Sequence, residues 1–477
     1  MTRRNFLTLS SITALWIFTG CGGGGTNSSQ IDLPDATDSN QKNRLMIPPL
    51  LEGSLKNGIK HYDLTIKESV HKFFDTYNTS TYAINGTYLA PTLRLIKGES
   101  ISINYTNNLK EATTMHGHGM HVPPSMDGAA HQIINPNTTW SAQYTVNQEA
   151  SSNWYHPHLM GKTAEHVYKG LAGFIYVEDE ESNALDLPKR YGIDDIPLVL
   201  QDRFFDANGQ LDYSPSRREI MHGYHGDFFI ANGTVDAQID VEAKEIRFRI
   251  LNGSNSTVYN LAFDDGRTFR QIATDNSLLE KPVALTSLRL SPAERAEIVV
   301  DFSDAIGKTI VFKDKTQNKA FLKVNITKEA SVVTKIPEKL KTLEFFALND
   351  AVKTRKFSLS GERGGLSINN KQMSMMRIDE RVSLNQIEIW EITNEMDMDH
   401  NFHIHATHFT IAERNGSYAN VAENEKGYKD TVYLAPNDSV KILVKMVDFT
   451  DSKLPYMYHC HFLEHEDAGM MGQFIVE

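Results

Sequence analysis

From about residue 48 onward, apolar and polar residues alternate in short runs broken by Gly, Pro, Asn and Asp, and long helical periodicities are few. A period of two is what a strand with one buried face requires. The pattern therefore predicts an all-β chain of sandwich or barrel class, with helices as minor features. The runs Ser100–Tyr105, Ile246–Ile250 and Ile387–Ile392 are the clearest cases, each expected to form a half-buried strand.

These runs belong to a repeat. Each follows an Asn-centred turn, at Ile84-Asn85-Gly86, Ala231-Asn232-Gly233 and Ile368-Asn369-Asn370, and has its first Ile 16, 14 and 18 residues after the turn Asn. Each then runs into a polar turn, at Thr106-Asn107, Asn252-Gly253 and Thr393-Asn394. One β unit thus occurs three times. A chain of 477 residues exceeds a single core, and three sandwiches of similar size accommodate it. The expected domains are 48–180, 190–328 and 343–477, separated by an acidic stretch near 181–193 and a Lys-, Val- and Pro-containing linker near 328–343.

The N-terminal region reads differently. Residues 1–20 carry Arg3 and Arg4 followed by an apolar stretch from Leu7 to Phe18, which resembles a twin-arginine export signal. Phe18-Thr19-Gly20-Cys21 resembles a lipoprotein cleavage site, so Cys21 is a candidate for acylation and 21–47 for a flexible tether. A periplasmic protein, or one anchored on the extracytoplasmic side, is expected. The chain holds two cysteines, Cys21 and Cys460, so an exported protein that could use disulfides is expected to use none. A net charge of −12 disfavours nucleic acid as a partner.

Ten of the 18 histidines fall into four short groups. They are His116-Gly117-His118, His156-Pro157-His158, His400-Asn401-Phe402-His403-Ile404-His405, and His459-Cys460-His461 followed by His465 and Met470. The second repeat has no such pair: Val258-Tyr259-Asn260-Leu261 stands in its place, and that domain reads as a spacer. Imidazoles, one thiolate and one thioether form a ligand set suited to copper. Residues two apart on a strand share a face, whereas residues one or three apart do not. His403, His405, His459 and His461 therefore lie on one face, with Cys460 and His400 on the other. Two metal sites back to back are implied. His465 and Met470 are close enough in sequence to complete a blue-copper set with His400 and Cys460. The other eight imidazoles, four from each outer domain, predict a cluster at the interface of those domains.

These four groups, in this order, resemble the multicopper oxidase family. The resemblance covers the chain after residue 48 and implies three cupredoxin-like Greek-key β-sandwiches and four copper ions. It places a type 1 copper at His400, Cys460, His465 and Met470, a type 2 copper at His116 and His403, and a type 3 pair at the other six histidines. It also implies one-electron oxidation of a reducing substrate coupled to reduction of dioxygen to water. Two positions depart from the usual pattern: Gly117 replaces an aromatic residue and Asn401 replaces proline.

Reducing dioxygen to water takes four protons as well as four electrons, and the peptide backbone from Cys460 to His459 and His461 is the shortest covalent route between the two sites. By resemblance, Asp127 and Glu466 deliver protons, with Glu464 and Asp467 as rivals. Met373, Met375, Met376, Asp379, Met396, Asp397 and Met398 offer thioether and carboxylate groups that suit Cu(I) as the substrate. The segment 457–471 and Gly161-Lys162-Thr163 resemble bacterial cuprous oxidases, although the long methionine-rich insertion of some of those enzymes is absent or shortened. The alternatives are a laccase-like oxidase of phenols or aromatic amines and, from another class, a non-catalytic copper-binding protein. Relatives of the latter kind lose ligands, and this chain keeps all twelve. A monomer is expected.

Overall fold

The computed structural model describes residues 43–330, 335–361 and 365–477; Arg3, Arg4, the apolar run, Cys21 and most of the expected tether lie outside the described residues. Residues 43–47, which composition assigns to the tether, already belong to the fold. Leu45 is buried in the second core and its N–H donates to Gln238 O at 2.7 Å. An apolar side chain with a core to enter outweighs the polar composition around it.

Six sheets make three successive sandwiches. In each, the strand of the repeat runs parallel to an earlier strand, with at least one further strand between that one and the Asn turn: Ile59–Phe74 with Ser100–Asn107, Asp195–Phe205 with Glu245–Asn252, and Lys353–Ser360 with Ile387–Asn394. The turn asparagines explain the repeat physically. Asn85, Asn232 and Asn369 adopt left-handed φ values of 56°, 48° and 54°, which Asn tolerates because its short amide bonds to nearby backbone. Each amide oxygen accepts one backbone N–H of that earlier strand, from Thr65, Val199 and Ser358, at 2.7–2.8 Å. Each Nδ2 donates two residues further back, to the carbonyls of Asp63, Pro197 and Lys356. At the far end of the repeat strands Asn107, Asn252 and Asn394 staple the following loop in the same way, each donating to two or more carbonyls.

The expectation of half-buried strands fails for Glu245–Asn252, which is buried on both faces. Its arginine face is covered by the first sandwich: Arg249 lies over the Tyr176 ring and pairs with Asp195, while Arg247 pairs with Glu297. Glu297 in turn accepts a bond from Ser152 of the first sandwich at 2.6 Å. An alternating pattern marks two faces, but a polar face is exposed only if no neighbouring domain covers it. Aromatic residues of the first sandwich, among them Trp154, Phe174 and Tyr176, also pack with Val199, Ile230 and Leu251 of the second.

Candidate metal centre

His116–His118 pairs antiparallel with Ser151–His156, placing His116 opposite His156. In the third sandwich His400–Ile404 pairs with Asp451–His459, placing His403 opposite His459. The two outer sandwiches thus present the same arrangement of rings, and where they meet the rings are related by a pseudo-twofold. His116 stacks on His405 at 4.0 Å between centroids, and His118 on His403 at 3.7 Å. Nε2 of His158 lies 3.1 Å from Nε2 of His459, and Nε2 of His461 lies 3.4 Å from Nε2 of His156. All eight side chains are buried.

The outer nitrogens are held by acceptors that obey the same symmetry. His116 Nδ1 donates to the carbonyl of Asp127 at 2.7 Å, and His403 Nδ1 to the carbonyl of Asp430 at 2.8 Å. The two carboxylates cross over: Asp127 accepts from His405 at 2.8 Å and Asp430 from His118 at 2.9 Å. His156 and His459 donate to the carbonyls of Pro157 and Cys460. Acceptors of this kind fix the tautomer and leave the opposite nitrogen free as a metal ligand.

Electrostatics favour neutral rings. Burial, with neighbouring rings adding to it, holds His116, His118, His156, His405, His459 and His461 well below the ordinary imidazole value and lowers His158 to about 4. Nε2 of His116 and His403 and Nδ1 of His118 and His461 are buried without a partner. An unpaired buried nitrogen costs about 1–3 kcal/mol, so four of them in one cluster point to a missing cation. The spacing agrees: two imidazole nitrogens, each about 2.0–2.1 Å from one first-row metal ion, stand roughly 3.3 Å apart. Nε2 of His459 lies 3.1 Å from Nε2 of both His158 and His405, so these rings form one trio. Its symmetry counterpart is His118, His156 and His461, and His116 with His403 forms the remaining pair.

On the opposite face of the His459-Cys460-His461 segment, His400 Nδ1 lies 3.4 Å and His465 Nδ1 3.6 Å from Cys460 Sγ, and the two nitrogens are 3.2 Å apart. Met470 is buried in the same core, and its carbonyl accepts the Cys460 N–H at 3.1 Å. Three soft or borderline donors in a triangle, with a thioether nearby, fit a trigonal copper site. Burial pushes the Cys460 thiol up to about 12, so the metal-free side chain keeps its proton, which a cation binding the sulfur would displace.

The four acids differ in their partners, while burial raises all of them, Asp467 to about 7. Glu466 lies 3.4 Å from His158 Nδ1 and 3.2 Å from His459 Nδ1, and neither of its oxygens has a hydrogen-bond partner. Burial raises it well above the usual carboxylate range, and burial also raises Asp127. Glu464 instead takes bonds from Asn255, Ser256 and Tyr213 of the second sandwich, and Asp467 accepts the N–H groups of Thr163 and Ala164. The rivals are anchors of the Leu463–Asp467 helix that carries His465.

The methionine group divides. Met396 Sδ lies 3.2 Å from His400 Nε2. Asp397 is exposed and Met398 half-buried in the same loop. Met373 and Met375 pack instead against Ala129, Ala130, Met457 and Met471, and Met376 is 93% exposed. Asp379 is engaged by Arg377 Nε at 2.5 Å and by the Gln473 N–H.

Several residues carry no signal in the sequence. Asp430 is one; its carboxylate is bound by Arg295 at 2.6 and 2.8 Å, and burial notwithstanding, that guanidinium holds it well below the usual range. Asp430 plays the part of Asp127, but it stands 27 residues after His403 where Asp127 stands 11 after His116, so the repeat does not point to it. The second sandwich is more than a spacer: it supplies Arg295, the Glu464 anchors and the Met221 carbonyl that accepts from His465 Nε2 at 3.2 Å.

Family models described as multicopper oxidase match residues 65–182, 194–328 and 339–477. The multicopper oxidase mco of Staphylococcus haemolyticus is 35% identical over 94% of this chain and 96% of its own length. The cell division protein FtsP of Xenorhabdus nematophila is 33% identical over 93% and 95%. The crystal structure of a laccase from Pediococcus acidilactici superposes with a TM-score of 0.85 at 34% identity, covering 92% of this chain and 94% of that one.

Proposed function

We propose, starting from the membership of this chain in the multicopper oxidase family, that it oxidises Cu(I) with dioxygen and serves copper tolerance outside the cytoplasm. Copper bound at these residues supplies one-electron acceptance at Cys460 and reduction of dioxygen to water at the imidazole cluster. The reading assigns four ions: one to His400, Cys460, His465 and Met470, one to the His116–His403 pair, and one to each trio.

The observation that carries the Cu(I) assignment is the Met396 thioether, 3.2 Å from His400 Nε2. A soft sulfur there would hold a soft monovalent ion against the ring that leads to Cys460, and the neighbouring Asp397 carboxylate complements its charge. Asp127 and Glu466 are the proton donors in this reading, each held against cluster imidazoles and each favoured by burial to keep its proton. The twin-arginine-like segment and Cys21 support export and a lipid tether.

The test is dioxygen consumption by the copper-loaded protein, with Cu(I) and a dimethoxyphenol supplied in parallel and free copper chelated in a control. Fast uptake with Cu(I), reduced by Met396→Leu, is expected. Uptake with the phenol alone would replace this reading with a laccase. Uptake with neither would leave a non-catalytic copper-binding role.

A further inference from the structure

Asn401 follows the site residue His400 and stands where proline is usual in the family. It is fully buried, and all its side-chain bonds are specific. Oδ1 accepts the His461 N–H at 2.6 Å and lies 3.7 Å from Cys460 Sγ. Nδ2 donates to the Pro292 carbonyl at 2.8 Å and to Ser291 Oγ at 3.1 Å, both in the second sandwich.

The N–H that Asn401 takes belongs to the peptide joining Cys460 to His461. The carbonyl of that same peptide accepts from His459 Nδ1 at 3.1 Å. The shortest covalent link between the thiolate site and the imidazole cluster is therefore gripped on both edges. One grip comes from the cluster itself. The other comes through Asn401 from a domain that holds none of the four histidine groups. Proline has neither the acceptor for His461 nor the donor for Pro292.

We propose that Asn401 is a positioning residue that fixes the Cys460–His461 peptide against the second sandwich and so sets how fast electrons pass from Cys460 to the cluster. The proposal rests on the oxidase reading of the site. A hydrogen bond held in a dry interior restrains the bridging peptide more than solvent would, and a restrained bridge keeps the distance and orientation between the two sites constant.

The full-length protein is compared with Asn401→Leu and Asn401→Pro, which remove the acceptor, and with Asn401→Asp, which retains it. Two quantities are read: hydrogen–deuterium exchange at the His461 amide in metal-free protein, and the rate at which the thiolate-to-copper absorption returns when fully reduced, copper-loaded protein meets dioxygen. In N401L and N401P, exchange rises and the return slows by about threefold to tenfold, the worth of one such bond, while N401D, which keeps the acceptor for His461 but loses the donor to Pro292 and Ser291, moves both readouts in the same direction by less. Should N401L fail to fold, Ser291→Ala trims only the anchor and moves both readouts in the same direction by less. Native exchange at His461 in N401L, or native return of the absorption in both N401L and N401P, overturns the proposal. Absence of any dioxygen uptake by the native protein overturns the oxidase reading instead, and the exchange measurement still decides the grip.

Discussion

Asp127 and Asp430 occupy equivalent places around the imidazole cluster, yet they do not have equivalent surroundings. Asp430 is locked to Arg295 on both oxygens, whereas Asp127 has one oxygen on His405 and the other without a bond. Replacing them should separate two kinds of damage. Asp430→Asn strands a buried guanidinium and should cost about 3–5 kcal/mol, seen as a lower thermal midpoint. Asp127→Asn keeps an acceptor on His405 and should leave the midpoint within about 1 kcal/mol while slowing dioxygen consumption by about 10- to 100-fold. Equal losses of stability in both variants would contradict this division. The ligands themselves were legible in the sequence because their spacing is local: parity along a strand is enough to put His459 and His461 on one side and Cys460 on the other. Their acceptors were not, because a bond such as His118 to Asp430 spans 312 residues and leaves no local pattern.

At the scale of the element, the Asn turn is the unit that recurs. Its backbone sits in a region that costs most residues roughly 1–2 kcal/mol, and its amide replaces backbone bonds that a turn would otherwise leave open. Asn232 is the most buried of the three and also donates to the Met46 carbonyl, so it ties the residues ahead of the first sandwich to the second. Asn232→Ala should lower stability by about 2–4 kcal/mol in thermal or denaturant unfolding, and Asn232→Gly should recover the backbone part of that loss without the hydrogen bonds. If alanine and glycine prove equal, the left-handed conformation is not the constraint. The strand positions were readable from alternation, but which face meets solvent was not. In Ile387–Asn394 the inward side is Glu388, Trp390, Ile392 and Asn394, with Glu388 held by Arg355 and the Trp390 ring nitrogen, while Ile387 and Ile389 stay half-exposed.

For the molecule as a whole, the face that the second sandwich turns toward the first is held together by buried ion pairs of its own and therefore responds to acid. Burial alone would raise Glu297, but Arg247 and Arg249 outweigh it and lower the carboxyl from 4.5 to about 2. A carboxyl that is more acidic in the folded state contributes stability above its unfolded value, and that contribution is lost as pH falls from about 4.5 through about 2. Thermal midpoints measured from pH 7 to pH 2 should fall over this window. Glu297→Gln should start lower at neutral pH by about 3–5 kcal/mol, because the buried Arg247 loses its close carboxylate, and should show a shallower acid limb. A variant with the native acid slope would place the acid sensitivity elsewhere.

The crossing of the two aspartates at the imidazole cluster also has a meaning for the order of events during synthesis. Each outer sandwich makes its own first ring bond through an aspartate carbonyl but lends the carboxylate to the other sandwich. A nascent chain that stops before residue 459 carries rings but neither complete trio, and a first sandwich folded alone lacks the acceptor that fixes the tautomer of His118. Both trios thereby close only once the third sandwich has folded through residue 461, and a prematurely ended chain is left without either of them.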